Sequence, residues 1–287
     1  NSEKELGITP LVRLNLLKRQ LESKSFLRAM EVHNGLSSSI VENLKIKSKH
    51  IIREFDVLFS SSETSSLSKG KPNLGLNDIS SRLNIVNEIF EVTTKPMIFD
   101  ANNGGDLVNF IFLIKSLERL GVSSIMINDG IKFNKNFIDK NDYSEKQETI
   151  ENFTEKILAT KKVKLNEGFM VLAGVTSLAL KKGMKDALER TVNYIESGAD
   201  AIIIHSKSDT PDEIIKYCLK YKNLKKDIPL IVIPTTFNSF LEEEMEKIGV
   251  KMVIYESHLL RIANIAMQNA AKSILRNGRS FEFERQF

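Results

Sequence analysis

GFMVLAGVTSLALKKGMKDALERTVNYIESGADAIIIHSK, residues 168–207, decides the fold. Its two ends, FMVLAGV and AIIIHSK, are short apolar runs without the polar alternation of a strand that has one face in water. Between them, GMKDALERTVNYIESGAD repeats apolar positions at helical spacing. An unalternating strand is buried on both faces, and a helix joining two such strands makes a parallel βαβ unit. The same unit recurs along the chain in both directions. Strands are expected near 27–32, 55–60, 96–100, 123–128, 168–173, 200–205, 229–233 and 251–255, with helices between them. An amphipathic helix at 11–24 precedes the first strand, and a long one, HLLRIANIAMQNAAKSILRNG, follows the last. Eight such units in 287 residues point to an α/β fold, a (β/α)8 barrel of the TIM type. The runner-up, an open doubly wound sheet, would call for a G-x-G-x-x-G after the first strand, and none is there. No interior linker interrupts the pattern. One domain over 1–287 is therefore expected, with an N-terminal helix within 1–25 and a C-terminal helical segment over 255–287.

Composition narrows the function. The 41 basic and 37 acidic side chains are interspersed, with no basic block, which argues against nucleic-acid binding. No apolar run reaches the ~20 residues that span a bilayer, and no signal peptide opens the chain, so no membrane partner is expected and the cytoplasm is the default. The single cysteine, Cys218, excludes an internal disulfide and lies in an apolar-periodic stretch that reads as core. The loop SSETSSLSKGKPNLGLND, 61–78, is long for a compact domain, and such loops are often functional.

In a barrel the strand C-termini and the loops after them form the active face. That rule collects Glu31, His33 and Asn34; Ser60, Ser61 and Ser62; Asp100, Asn102 and Asn103; Asn128 and Asp129; Gly174 and Thr176; His205, Ser206 and Lys207; Thr235 and Thr236; and Glu256 and His258. The set is rich in hydroxyls and amides and poor in carboxylates. The serines together with Gly104 and Gly105 suit an oxyanion bound by hydroxyl and backbone N–H donors. Asp100 reads as a metal or substrate ligand or as a helix cap. His205 faces a ligand or belongs to the core edge, His33 binds or shapes a turn, and Asn102 and Asn103 do either.

Several of these stretches in order resemble the phosphoenolpyruvate mutase branch of the isocitrate lyase superfamily, over about residues 26–282. MEVHNGLSS looks like the family's MEAHNGLS, SKGKPNLGLND like its gating loop, TTKPMIFDANNGG like its D-G-D-T-G-G motif, and GADAIIIHSK like its histidine strand. The chain's end, IPLIVIPTTFNS and VIYESHLLRIANIAMQNAAKSILRNGRSFE, matches too. The resemblance implies a barrel whose last helix is exchanged between subunits, giving a homodimer or homotetramer. It implies a small anionic 2-oxo acid or phosphonate ligand in phosphonate biosynthesis, and Mg2+ as cofactor. Carried over by position, Asp100, Asn102 and Asn128 would be the metal positions. His205, Asn73 and Asn136 (or Asn134) would be catalytic. Ser61, Ser62, His33, Asn102, Gly104, Gly105, Gly174 and Thr235 would bind substrate. The family carries acids where Asn73, Asn102, Asn128 and Thr176 stand, and a phosphoryl-binding arginine where Gly174 stands. Its Y-A-N-H reads Tyr255-Glu256-Ser257-His258 here. Losing acids and the arginine together leaves a neutral, foldable pocket rather than unpaired ions. Three readings follow: a phosphoenolpyruvate/phosphonopyruvate isomerase or related enzyme, a catalytically degenerate paralogue serving as a ligand-binding or partner subunit, and a lyase for a differently charged substrate.

Overall fold

The computed structural model describes residues 7–48, 51–71, 78–134 and 143–285. Its strands are β1 (Leu27–Glu31), β2 (Lys45–Ser48), β3 (Ile51–Glu54), β4 (Val57–Ser60), β5 (Met97–Asp100), β6 (Ser124–Asn128), β7 (Gly130–Asn134), β8 (Tyr143–Gln147), β9 (Met170–Val175), β10 (Ala201–Ile204), β11 (Leu230–Val232) and β12 (Val250–Tyr255). The helices are α1 (Pro10–Ser23), α2 (Gly35–Asn43), α3 (Ser62–Leu67), α4 (Ile79–Phe90), α5 (Leu107–Leu120), α6 (Ile150–Val163), α7 (Gly183–Glu196), α8 (Asp212–Asn223), α9 (Glu242–Lys247), α10 (His258–Asn277) and α11 (Phe281–Glu284). Eight parallel strands close a barrel in the order β1-β12-β11-β10-β9-β6-β5-β4. All eight strand expectations are met.

Three features lie outside the expected pattern of strands and helices. The helix after β1 ends at Asn43, where the chain turns into the antiparallel hairpin β2–β3. The polar segment between β6 and α6 forms the hairpin β7–β8 in its described part. Part of the long serine loop is the short helix α3, capped by the Ser61 hydroxyl on Thr64 N.

Side chains alternate across each strand. Leu27, Ala29, Val57, Phe59, Ile98, Met126, Met170, Leu172, Ala201, Ile203, Ile231, Ile233, Met252 and Ile254 form one apolar cluster inside the barrel, joined by Leu17 and Leu21 of α1. The intervening residues, such as Phe99, Ile125, Val171, Ile202 and Val253, join the larger cluster between sheet and helices. Helix α10 is the exception to this packing. None of its 20 residues is buried, although Ile262, Ile265, Met267, Ile274 and Leu275 are apolar. Among the described residues no helix is long and apolar enough to cross a membrane. Cys218 lies in the core, where burial pushes its thiol up to about 12.

Candidate functional site

The inward alternation fixes what stands at the barrel mouth. Carried one step beyond the apolar layer, it brings Glu31, Ser61, Asp100, Asn128, Gly174, His205, Thr235 and Glu256 to the C-terminal ends of the eight strands. Taken in barrel order, the ring reads Glu31, Glu256, Thr235, His205, Gly174, Asn128, Asp100, Ser61. Three carboxylates occupy one side of it, and neutral residues the other.

The acidic side is tied together by hydroxyls and a backbone donor. Glu31, only 3% exposed, accepts from Thr64 Oγ1 at 2.6 Å through Oε1 and from the Ser257 backbone N–H through Oε2. Burial raises its pKa and nearby Asp100 adds to the rise, while the donors Ser61, Thr64 and Ser257 oppose it. Asp100 Oδ1 accepts from Asn102 N at 2.8 Å, which turns the chain rather than capping a helix; α5 is capped by Asp106. Glu256 accepts from Thr235 Oγ1 at 3.2 Å. Burial and then Glu31, with smaller pushes from Glu63 and Asp100, raise its carboxyl to about 7, against the Thr235 hydrogen bond. A cation lies behind this half-ring. Arg82 of α4 is buried, stacks 3.9 Å over the Phe99 ring and donates to Ser60 O at 3.2 Å. Burial lowers its pKa to about 10, against the support of Asp100 and Glu31.

The neutral side is shaped by one close approach. Asn128 and Gly174 are partners in the β6–β9 ladder. A Cβ on Gly174 would stand 2.0 Å from Asn128 Oδ1, so the carboxamide fills the place where a side chain at 174 would begin. Asp129, one residue on, has the opposite parity and is fully buried outside the barrel. It accepts from Thr176 N (2.9 Å), Thr176 Oγ1 (2.6 Å), Gln147 Nε2 (3.0 Å), Arg190 Nη1 (3.3 Å) and Tyr194 OH (2.7 Å). Burial, and next the charge of Asp129, raise the Tyr194 pKa far above its ordinary value. Asp129 and Thr176 thus serve the packing of β6, β9 and α7.

The remaining site residues of the sequence reading fall as follows. Asn73 and Asn136 lie outside the described residues; Asn134 ends β7. The Ser61 hydroxyl is engaged with Thr64, and that of Ser62 donates to Asn102 Oδ1 at 2.7 Å. Asn102 takes a left-handed backbone, φ 53°, and its carbonyl accepts from Asn128 N. Gly104 and Gly105 are left-handed as well; their N–H groups donate to Ala101 O and to Asn103 Oδ1. Lys156, ion-paired with Glu148 at 2.8 Å, also donates to Asn103 O and so holds this turn. His205 is half-buried just past β10. His33 is half-buried two residues beyond Glu31, and burial lowers its pKa, favouring the uncharged imidazole. The sequence reading did not pick out Arg82, and it gave Glu256 no role. The parity of β12 was the available signal for Glu256.

Among the described residues no group of three His, Cys, Asp or Glu side chains is placed to hold a metal ion. Asp100 offers one carboxylate, with Oδ2 free of any described hydrogen-bond partner. That fits a magnesium ion that takes one protein carboxylate and fills its octahedron with ligand oxygens and water, as magnesium commonly does.

Comparison with known proteins agrees with the fold. The family model described as phosphoenolpyruvate phosphomutase matches residues 17–275. The chain is 30% identical over 259 residues to a phosphoenolpyruvate phosphomutase of Tetrahymena pyriformis, covering 90% of this chain and 82% of that protein. It is 30% identical over 266 residues to a phosphonopyruvate hydrolase of Variovorax sp. (strain Pal2), covering 91% and 87%. A crystal structure of phosphonopyruvate hydrolase with oxalate and Mg2+ superposes with a TM-score of 0.82 at 28% identity, covering 96% of this chain and 91% of that one.

Proposed function

The chain belongs to the phosphoenolpyruvate phosphomutase family, and on that premise we propose that it binds a small 2-oxo acid anion at the barrel mouth without transferring a phosphoryl group. One observation carries the reading: the Asn128 carboxamide lies 2.0 Å from where a Cβ at position 174 would be. The family resemblance sets a phosphoryl-binding arginine at 174, and here no side chain can start from that position while Asn128 stays in place. Stabilising developing charge in a dry site is commonly the largest catalytic contribution, and removing one such donor costs about 3 kcal/mol or more. Three cationic groups among the described residues do not replace it. Arg82 lies beneath the ring, Lys156 is paired with Glu148, and Arg190 with Asp129 and Asp186.

Within this mouth, Asn128 supplies an uncharged amide, and Asp100 supplies the carboxylate that would hold magnesium. Magnesium would polarise the 2-oxo group. The crystal structure of the hydrolase with oxalate and Mg2+ supports an oxalate-like ligand in this position. Interconversion of phosphoenolpyruvate and phosphonopyruvate is the second reading, favoured by the 30% identity to a phosphomutase. Phosphorus NMR of phosphonopyruvate with protein and magnesium, beside an active relative, decides between them. No conversion is expected, with oxalate binding detected by calorimetry. Formation of phosphoenolpyruvate or phosphate at a rate near the relative's would overturn the proposal.

The bare apolar side of α10 fits a second copy of this chain, as the helix exchange implied by the family resemblance would provide. We therefore read the protein as a homo-oligomer built through this helix.

A further inference from the structure

Glu256 ends β12 between Glu31 on β1 and Thr235 after β11. Its Oε1 accepts from Thr235 Oγ1 at 3.2 Å, and no described residue hydrogen-bonds Oε2. The charges that act on it are carboxylates from three other elements: Glu31 of β1, Glu63 of α3 and Asp100 of β5. The other two carboxylates of the half-ring are better provided for. Glu31 has donors on both oxygens, and Asp100 has the Asn102 backbone N–H, each favouring the ionised form. The buried guanidinium of Arg82 acts on Asp100 and Glu31. Several carboxylates in one half-ring resist an incoming anion by like-charge repulsion. When an anion does enter, the carboxyl on which no cation acts, Glu256, takes up a proton most readily.

We infer that Glu256 is the proton-accepting specificity residue of the mouth: entry of an anionic ligand protonates it, and its Oε2–H then donates to a ligand oxygen. The inference rests on the reading that a 2-oxo acid binds here. The proton comes from solvent, and no other bond changes. With its carboxyl raised to about 7, uptake falls near neutral pH, so affinity for an anion declines as the solution becomes alkaline. A proton that arrives with the ligand does part of what a fixed cation would do, and it does so only below a threshold pH.

Calorimetry with oxalate as the probe, in magnesium and in two buffers of different ionisation heat from pH 6 to 8.5, tests this. Wild type is expected to take up as much as one proton per oxalate, with affinity falling toward roughly tenfold per pH unit above about 7. Glu256→Gln is expected to lose the uptake and to bind with a flat pH profile. Thr235→Val keeps the carboxyl but removes the donor that favours its ionised form, so its midpoint should move to higher pH. It decides the matter alone if Glu256→Gln does not fold. Oxalate binding to wild type without proton uptake, uptake retained in Glu256→Gln, or an unmoved midpoint in Thr235→Val would overturn the inference and leave the 2-oxo acid reading standing. Failure of oxalate to bind folded wild type at any pH overturns both.

Discussion

Gly174→Ala is the sharpest perturbation available at this mouth. The new Cβ would stand 2.0 Å from Asn128 Oδ1, 3.0 Å from its Cγ and 3.3 Å from the Ile127 carbonyl oxygen. The first distance is about 1.4 Å short of ordinary contact, which begins near 3.4 Å, so the carboxamide must swing away. Overpacking of this kind costs about 1–3 kcal/mol. For a chain of this length that is a fall of roughly 2–6 °C in Tm. With Asn128→Ala in the background the obstacle is gone, and only the Ile127 oxygen at 3.3 Å remains. There Gly174→Ala should be neutral, or stabilising by up to about 1 kcal/mol, since a glycine within a strand carries an entropic cost. The four proteins of the cycle, melted at one concentration, should give a coupling of roughly 1–3 kcal/mol. Equal drops in Tm in both backgrounds would refute the claim that the amide occupies the space of a side chain at 174.

Three further outcomes are expected. Asp129→Asn should destabilise by roughly 1–3 kcal/mol, because it removes a buried carboxylate that accepts five hydrogen bonds and leaves Arg190 paired with Asp186 alone; any folded protein should keep its oxalate affinity in calorimetry, since Asp129 lies outside the barrel. Glu256→Gln should gain Tm over wild type as pH rises. The folded-state carboxyl, near 7 against an ordinary 4.5, carries no penalty below 4.5 and costs progressively more through 7, so melts at pH 4.5 and pH 8 should show a gap only at the higher pH. Paired Ile262→Glu and Ile265→Glu substitutions on α10 should shift sedimentation toward monomer, whereas an unchanged oligomer would place the interface elsewhere.

The barrel was legible because its strands are buried on both faces. Runs such as AIII and VLFS need no partner to be recognised, and the glycine stops and polar turns between them set the period. The hairpins were not legible. KIKS and IIRE are short, mixed in polarity and stabilised by pairing with each other, information that no local pattern carries. Helix α3 did leave a trace, a serine cap with Glu63 in the first turn, but six residues of mostly serine have little helical propensity of their own. At the mouth, position at a strand end was readable, and orientation was the missing half. Asn128 and Asp129 are adjacent in sequence, yet only the first shares the parity of the interior, while the second is committed to Tyr194 and Arg190 on α7. Arg82 could not be found from its helix at all. Its burial depends on Phe99, a residue 17 positions away on the far side of a strand boundary.

The environment of Asp129 also bears on how the molecule comes apart. Its carboxylate gathers donors from β8 (Gln147), from just beyond β9 (Thr176) and from α7 (Arg190, Tyr194), and its own carbonyl accepts from Glu148 N. Departure of α7 would strand the buried carboxylate, and departure of β8 would break both the Gln147 bond and the Glu148 N–H bond to Asp129. The base of the β7–β8 hairpin is therefore welded into the same cooperative unit as the barrel wall. The amides of Asp129, Glu148 and Thr176 should exchange with solvent at the slow pace of the strands, not at the pace of a surface excursion.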